Sequence, residues 1–133
     1  MHQMIHPEDW KPAQGYASAV AASGRMLFLA GQIGWNGDQV FETDDFVGQV
    51  ARALRNIQAI LDEAGSRPEH LVRLTWFVTD KQHYLQNQKA IGMIYRDIIG
   101  RHFPAMSVVE VSALLEDEAK VEIEATAVIP SQP

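Results

Sequence analysis

Two rhythms of apolar and polar residues run along this chain, and glycines and prolines mark where one gives way to the other. Val47, Val50, Leu54, Ile57, Leu61 and Ala64 recur at alternating steps of three and four, the spacing of one buried helix face. Thr43, Asp44 and Asp45 precede that stripe as caps and as favourable charges at the positive helix end. Gly65 stands where a helix-terminating glycine belongs. From Leu71 to Thr79 the period shortens to two. Val72, Leu74, Trp76 and Val78 form an apolar face, and Arg73, Thr75 and Thr79 share the other with Phe77. Asp80 then caps a second predicted helix over 81–99, with Tyr84, Ile91, Tyr95 and Ile98 as its stripe and Leu85 and Ile94 beside it. Gly100 ends that helix and Pro104 prevents its resumption.

Strands are predicted on either side of the helices. Tyr16–Ala22 and Met26–Ile33 flank Ser23-Gly24-Arg25 and read as a hairpin. Met106–Leu114 is rich in valine. Val121–Ile129 alternates, with Val121, Ile123, Ala125 and Ala127 against Glu122, Glu124, Thr126 and Val128. Glu116-Asp117-Glu118 makes a polar connection between the two. The predicted order is β-β-α-β-α-β-β, with strands pairing mostly through hairpins. This is an α+β two-layer sandwich in a single domain spanning 1–133, with 1–12 and 130–133 as loosely held ends. Two helices cover only one face of such a sheet. The other face carries Phe28, Phe77 and Val128 beside charged residues, and is expected to meet another subunit.

Composition narrows the chemistry. The 133 residues include no cysteine, which removes disulfides, thiolate nucleophiles and Cys-based metal sites. Eleven basic and 17 acidic residues give a formal charge of −6, unsuited to general phosphate neutralisation, so no nucleic-acid partner and no nuclease activity are expected. No apolar run approaches the roughly 20 residues of a membrane span, and residues 1–15 lack a signal-peptide core. A soluble, cytoplasmic protein with no membrane partner is the expectation. His2, His6, His70, His83 and His102 show no zinc-ligand spacing, and Gly34-Trp35-Asn36-Gly37 is not followed by the Lys-Ser/Thr of a phosphate loop. Neither a metal nor a cofactor is expected. Tyr95, on a helix stripe, reads as a core residue, Trp35 as a packing residue, and His102 as the histidine nearest any pocket.

Several short segments, in order, carry a family resemblance. They are Gly15-Tyr16, Ala30-Gly31-Gln32-Ile33, Gln49 with Leu54-Arg55-Asn56-Ile57, and Ala64-Gly65. Later come Val78-Thr79-Asp80, Phe103-Pro104-Ala105, Val109-Glu110-Val111, Leu114 and Val121-Glu122-Ile123-Glu124-Ala125. From about Tyr16 to Pro130 the chain resembles the RidA/YjgF family of enamine/imine deaminases, also called endoribonuclease L-PSP proteins. The resemblance implies a chorismate-mutase-like fold and a barrel-forming homotrimer with ligand clefts between subunits. It also implies hydrolysis of 2-imino acids or their enamine tautomers to 2-keto acids and ammonia. By the same resemblance Glu122 matches the residue that positions water. Tyr16, Gly31, Met106 and Ser107 would line the substrate cleft.

One position departs from the family pattern. Active members place an arginine directly after the Pro-Ala pair, where it clamps the substrate carboxylate; here Met106 stands instead. A thioether offers neither charge nor donor. Losing one partner of a desolvated charge pair costs about 2–5 kcal/mol, roughly 30- to 3,000-fold. Standard 2-imino acid turnover is therefore disfavoured. Three readings stay open. The substrate lacks the carboxylate or binds in another pose; or a second cation (Arg101, His102, Arg73 or Lys120) replaces the arginine; or the trimer is a non-enzymatic ligand-binding or chaperone-like module.

Overall fold

The first helical stripe becomes α1, Phe46–Glu63, in the computed structural model, which describes residues 2–131. Residues 132 and 133 of the predicted C-terminal loose end lie outside the described residues. Asp45 caps α1 by accepting from the Gly48 N–H at 2.8 Å. At the other end Gly65 takes φ +70°, and the Ser66 N–H returns to the Leu61 carbonyl at 2.8 Å, closing the last turn. The helix buries Phe46, Val50, Ala53, Leu54, Ile57 and Leu61. Gln49 is also fully buried: its amide donates to the Thr43 and Glu118 carbonyls and accepts from the Lys120 N–H. It ties α1 to the acidic loop before the last strand.

The sheet beneath is built from β3 (Arg25–Ile33), β4 (Leu71–Val78), β5 (Ala105–Glu110) and β6 (Val121–Ile129), in the order β3-β6-β4-β5. The α+β class and the two layers are as expected, but the pairing through hairpins is not. β6 does not pair with β5; it inserts between β3 and β4, antiparallel to both. β5 lies parallel to β4, because a helical crossover returns the chain in the same direction. That crossover is two helices, α2 (Lys81–Gln86) and α3 (Gln88–Ile98). The single helix predicted over 81–99 breaks at Asn87, whose side-chain amide donates to the His83 carbonyl. β5 also stops at Glu110, short of the predicted Leu114.

The N-terminal hairpin is the second correction. β2 (Ala19–Ala21) pairs with β1 (Gln3–Ile5), not with β3. Gly24, at φ +147°, lies so close to the strand end that a Cβ there would stand 2.0 Å from the Ile129 carbonyl oxygen. The chain thus passes tightly against the end of β6 instead of folding back along β3. It reaches β5, where Ala17 bridges Ala105 and its N–H donates to the Pro104 carbonyl. Residues 2–6 are accordingly not a loose end. His2 donates to the Val128 carbonyl at 2.8 Å, and His6 bonds both the Lys11 carbonyl and the Ser18 hydroxyl at 2.7 Å.

Leu71, Leu74, Trp76, Val78, Val121, Ile123, Ala125 and Ala127 bury the sheet's inner side in one core with α1 and α3. On the outer side Phe28 is 72% exposed and Met26 58%. Among the described residues no helix is long and apolar enough to cross a membrane.

Candidate functional site

Strand register decides which predicted site residues can meet. Met106 pairs with Leu74, so its side chain shares the inner, helix-covered side of the sheet. Glu122 pairs with Phe77, three residues on, and points to the outer side. Ser107 pairs with Thr75 and also points outward, on the edge strand β5. The five residues thus fall into two groups on opposite faces of one sheet, and a single chain does not bring them together.

The outer group centres on Gly31 and Glu122. Between Leu29 and Gln32 the β3–β6 register slips. Gly31, in that irregular stretch, takes the Glu122 side chain against its backbone. A Cβ at position 31 would stand 2.4 Å from Glu122 Oε2 and 2.8 Å from Cγ. Glycine is therefore required for the carboxylate to lie where it does. Glu122 is half-buried, while its strand neighbour Glu124 is exposed. Ser107 shares the face but stands two strands away, beyond β4.

The inner group forms a cavity of about 470 Å³ between α3, the β4–β5 pair and the N-terminal segment. Tyr16 and Met106 both line it, with Trp76, Tyr84, Tyr95 and Phe103 as aromatic walls. The Ala17–Pro104 hydrogen bond holds Tyr16 against β5, although its side chain stays 46% exposed. Tyr95 stacks on Phe103 at 5.3 Å and donates its hydroxyl to the His102 carbonyl at 2.6 Å. Burial pushes the Tyr84 and Tyr95 hydroxyls above the ordinary tyrosine range, so both stay neutral at physiological pH. The Trp76 indole N–H is buried with no hydrogen-bond partner among the described residues.

His102 is not part of this cavity: its Nε2 donates to the Leu71 carbonyl at 2.7 Å, a structural tie. Trp35 packs on Phe41, as read from sequence. Sequence reasoning missed Arg96, which lines the cavity from α3. It also treated Trp76 and Tyr84 only as core positions. The available signal was the Gly92–Arg96 spacing of four, which puts a long cation over a bare helix patch.

Comparisons with known proteins agree with this architecture. Residues 7–129 match the family model described as endoribonuclease L-PSP. A RutC family protein of Aquifex aeolicus is 33% identical over 128 residues, covering 96% of this chain and 99% of that protein. The 2-iminobutanoate/2-iminopropanoate deaminase of Escherichia coli is 35% identical over 108 residues, 79% of this chain and 80% of the enzyme. The crystal structure of YyfB, from the conserved Rid protein family of Yersinia pestis, superposes with a TM-score of 0.86 at 34% identity. It covers 96% of this chain and 98% of that one. With the family model spanning nearly the whole fold and these relatives sharing a third of its residues, the chain belongs to the endoribonuclease L-PSP family, the RidA/YjgF proteins.

Proposed function

We propose that this protein binds and hydrolyses a small imine or enamine in clefts completed between copies of the chain in a homotrimer. The observation that carries the reading is the seating of Glu122. Its carboxylate rests against the Gly31 backbone on a sheet face that no helix covers. A half-exposed carboxylate held in this way can orient a water for attack on an imine carbon and take its proton. The relative named as a 2-iminobutanoate/2-iminopropanoate deaminase supports the reaction class. The cavity beside Met106 lies on the opposite sheet face from Glu122 of the same chain. A second copy meeting the outer face is therefore the way to join a carboxylate to a cavity. Met106 contributes no charge, so 2-imino acids too short to reach a cation elsewhere on the cavity wall are poor substrates in this reading.

A panel of imines with and without carboxylates, generated in situ and assayed on the parent and on Glu122→Ala, tests the proposal. Turnover of at least one imine that falls 100-fold or more in the variant is expected. Absence of Glu122-dependent turnover on every imine contradicts it, and favours a non-enzymatic ligand-binding trimer.

A further inference from the structure

We propose that the cavity between α3 and the β4–β5 pair binds a carboxylate borne on an aromatic or similarly bulky apolar group, and that Arg96 on its rim holds the carboxylate. This deepens the function proposed above, on which it rests for treating the cavity as a ligand site.

Charge is the first argument. Among the described residues Arg96 is the one formally charged side chain lining the cavity, in a chain whose net charge is −6. Among the described residues it makes no ion pair and no side-chain hydrogen bond. An unpaired guanidinium above an aromatic-walled hollow selects an anion with an apolar body. Its planar fork suits a carboxylate, which it can hold with two parallel hydrogen bonds.

Local geometry is the second. Gly92 precedes Arg96 by one helical turn, and a Cβ there would stand 3.3 Å from Arg96 Nη1. The guanidinium therefore folds back along α3 over the glycine, at the cavity wall. Glycine inside a helix costs about 1 kcal/mol against alanine, and here its lack of a side chain leaves the space the arginine uses.

The walls supply the third. Trp76, Tyr84, Tyr95 and Phe103 offer aromatic surface, and Met106 adapts to irregular apolar shapes. The volume of about 470 Å³ lies within the range of small-molecule sites, about 300–1,000 Å³.

Calorimetric titration of the full chain with 3-phenylpropionate and with its neutral amide reads the proposal directly, without any turnover. The acid is expected to bind at least tenfold more tightly than the amide. Arg96→Gln should abolish that preference, while Arg101→Gln, an exposed arginine that does not line the cavity, should keep it. Rising salt should weaken binding of the acid to the parent and leave the amide unchanged, a second readout that needs no variant. Equal affinity for acid and amide, no binding of either, or a preference that survives Arg96→Gln overturns the proposal. Arg96-dependent binding without imine turnover would retain this site and reject the hydrolase reading. Glu122-dependent turnover indifferent to Arg96 would do the reverse.

Discussion

At the scale of single residues, position 106 is where the proposed reading departs from a standard 2-imino acid deaminase. Its side chain lines an aromatic cavity, so an arginine placed there would project into that hollow. Met106→Arg is expected to raise 2-iminobutyrate hydrolysis by at least about 30-fold, the low end of what a desolvated carboxylate partner contributes. Initial rates on the two proteins check this, and a parent already as fast as its arginine variant contradicts it. The sequence made Met106 and Glu122 visible through their places in short motifs. It could not show that they stand on opposite faces, because that depends on the register of β4 with both β5 and β6. Arg96 stayed hidden for another reason. On a helix, a cation four residues after a glycine looks like a solvated side chain until the neighbouring strands put a hollow beside it.

Elements were legible where one face of each is buried within the chain. The α1 stripe and the alternation of β6 follow from hydrophobic period alone, since burial against a single core imposes it, and the two ends of α1 follow from the capping chemistry of Asp45 and Gly65. Pairing was less legible. A glycine-containing loop between two apolar runs ordinarily closes a hairpin, yet Gly24 here lets the chain press on the end of β6 and leave β3 unpaired on that side.

Gln49 shows how such elements are fastened. It was read only as part of a family motif, but it bonds three backbone groups while fully buried. Gln49→Leu should cost about 2–4 kcal/mol by leaving those groups without partners, seen as a lower urea midpoint at unchanged slope. His70, at the turn leading into β4, gives a pH dependence. Burial first, then the Arg67 guanidinium and the neighbouring His2, hold its pKa below the ordinary 6.5. Its Nδ1 accepts from the Arg67 N–H and faces the Ser66 hydroxyl, which favours the neutral ring. The unfolded chain therefore binds a proton below about pH 6.5 that the folded chain refuses. Stability from this group is complete above that pH and declines as pH falls toward the lowered value. The urea midpoint should drop between pH 7.5 and 5.5, and His70→Gln should flatten that drop. An unchanged slope in the variant would remove His70 from the explanation.

For the whole molecule, the decisive feature is the uncovered sheet face. Phe28 and Met26 stand largely exposed there, with Val109 41% exposed on β5 and Glu122 half-buried among them. Surface of this kind suits an interface with a polar pocket better than open water. It was anticipated from sequence because two helices cannot cover both sides of one sheet. The way the N-terminal segment crosses to β5 and positions Tyr16 was not, since short exposed strands such as β1 and β2 carry little hydrophobic period. If Glu122 from one copy is to work with the Met106 cavity of another, the copies must be assembled in solution. Sedimentation equilibrium of the full chain at micromolar concentration measures this directly. The account predicts a single species near 45 kDa, three times the 14.9 kDa of one chain; a species that stays at the mass of one chain across that range would contradict it.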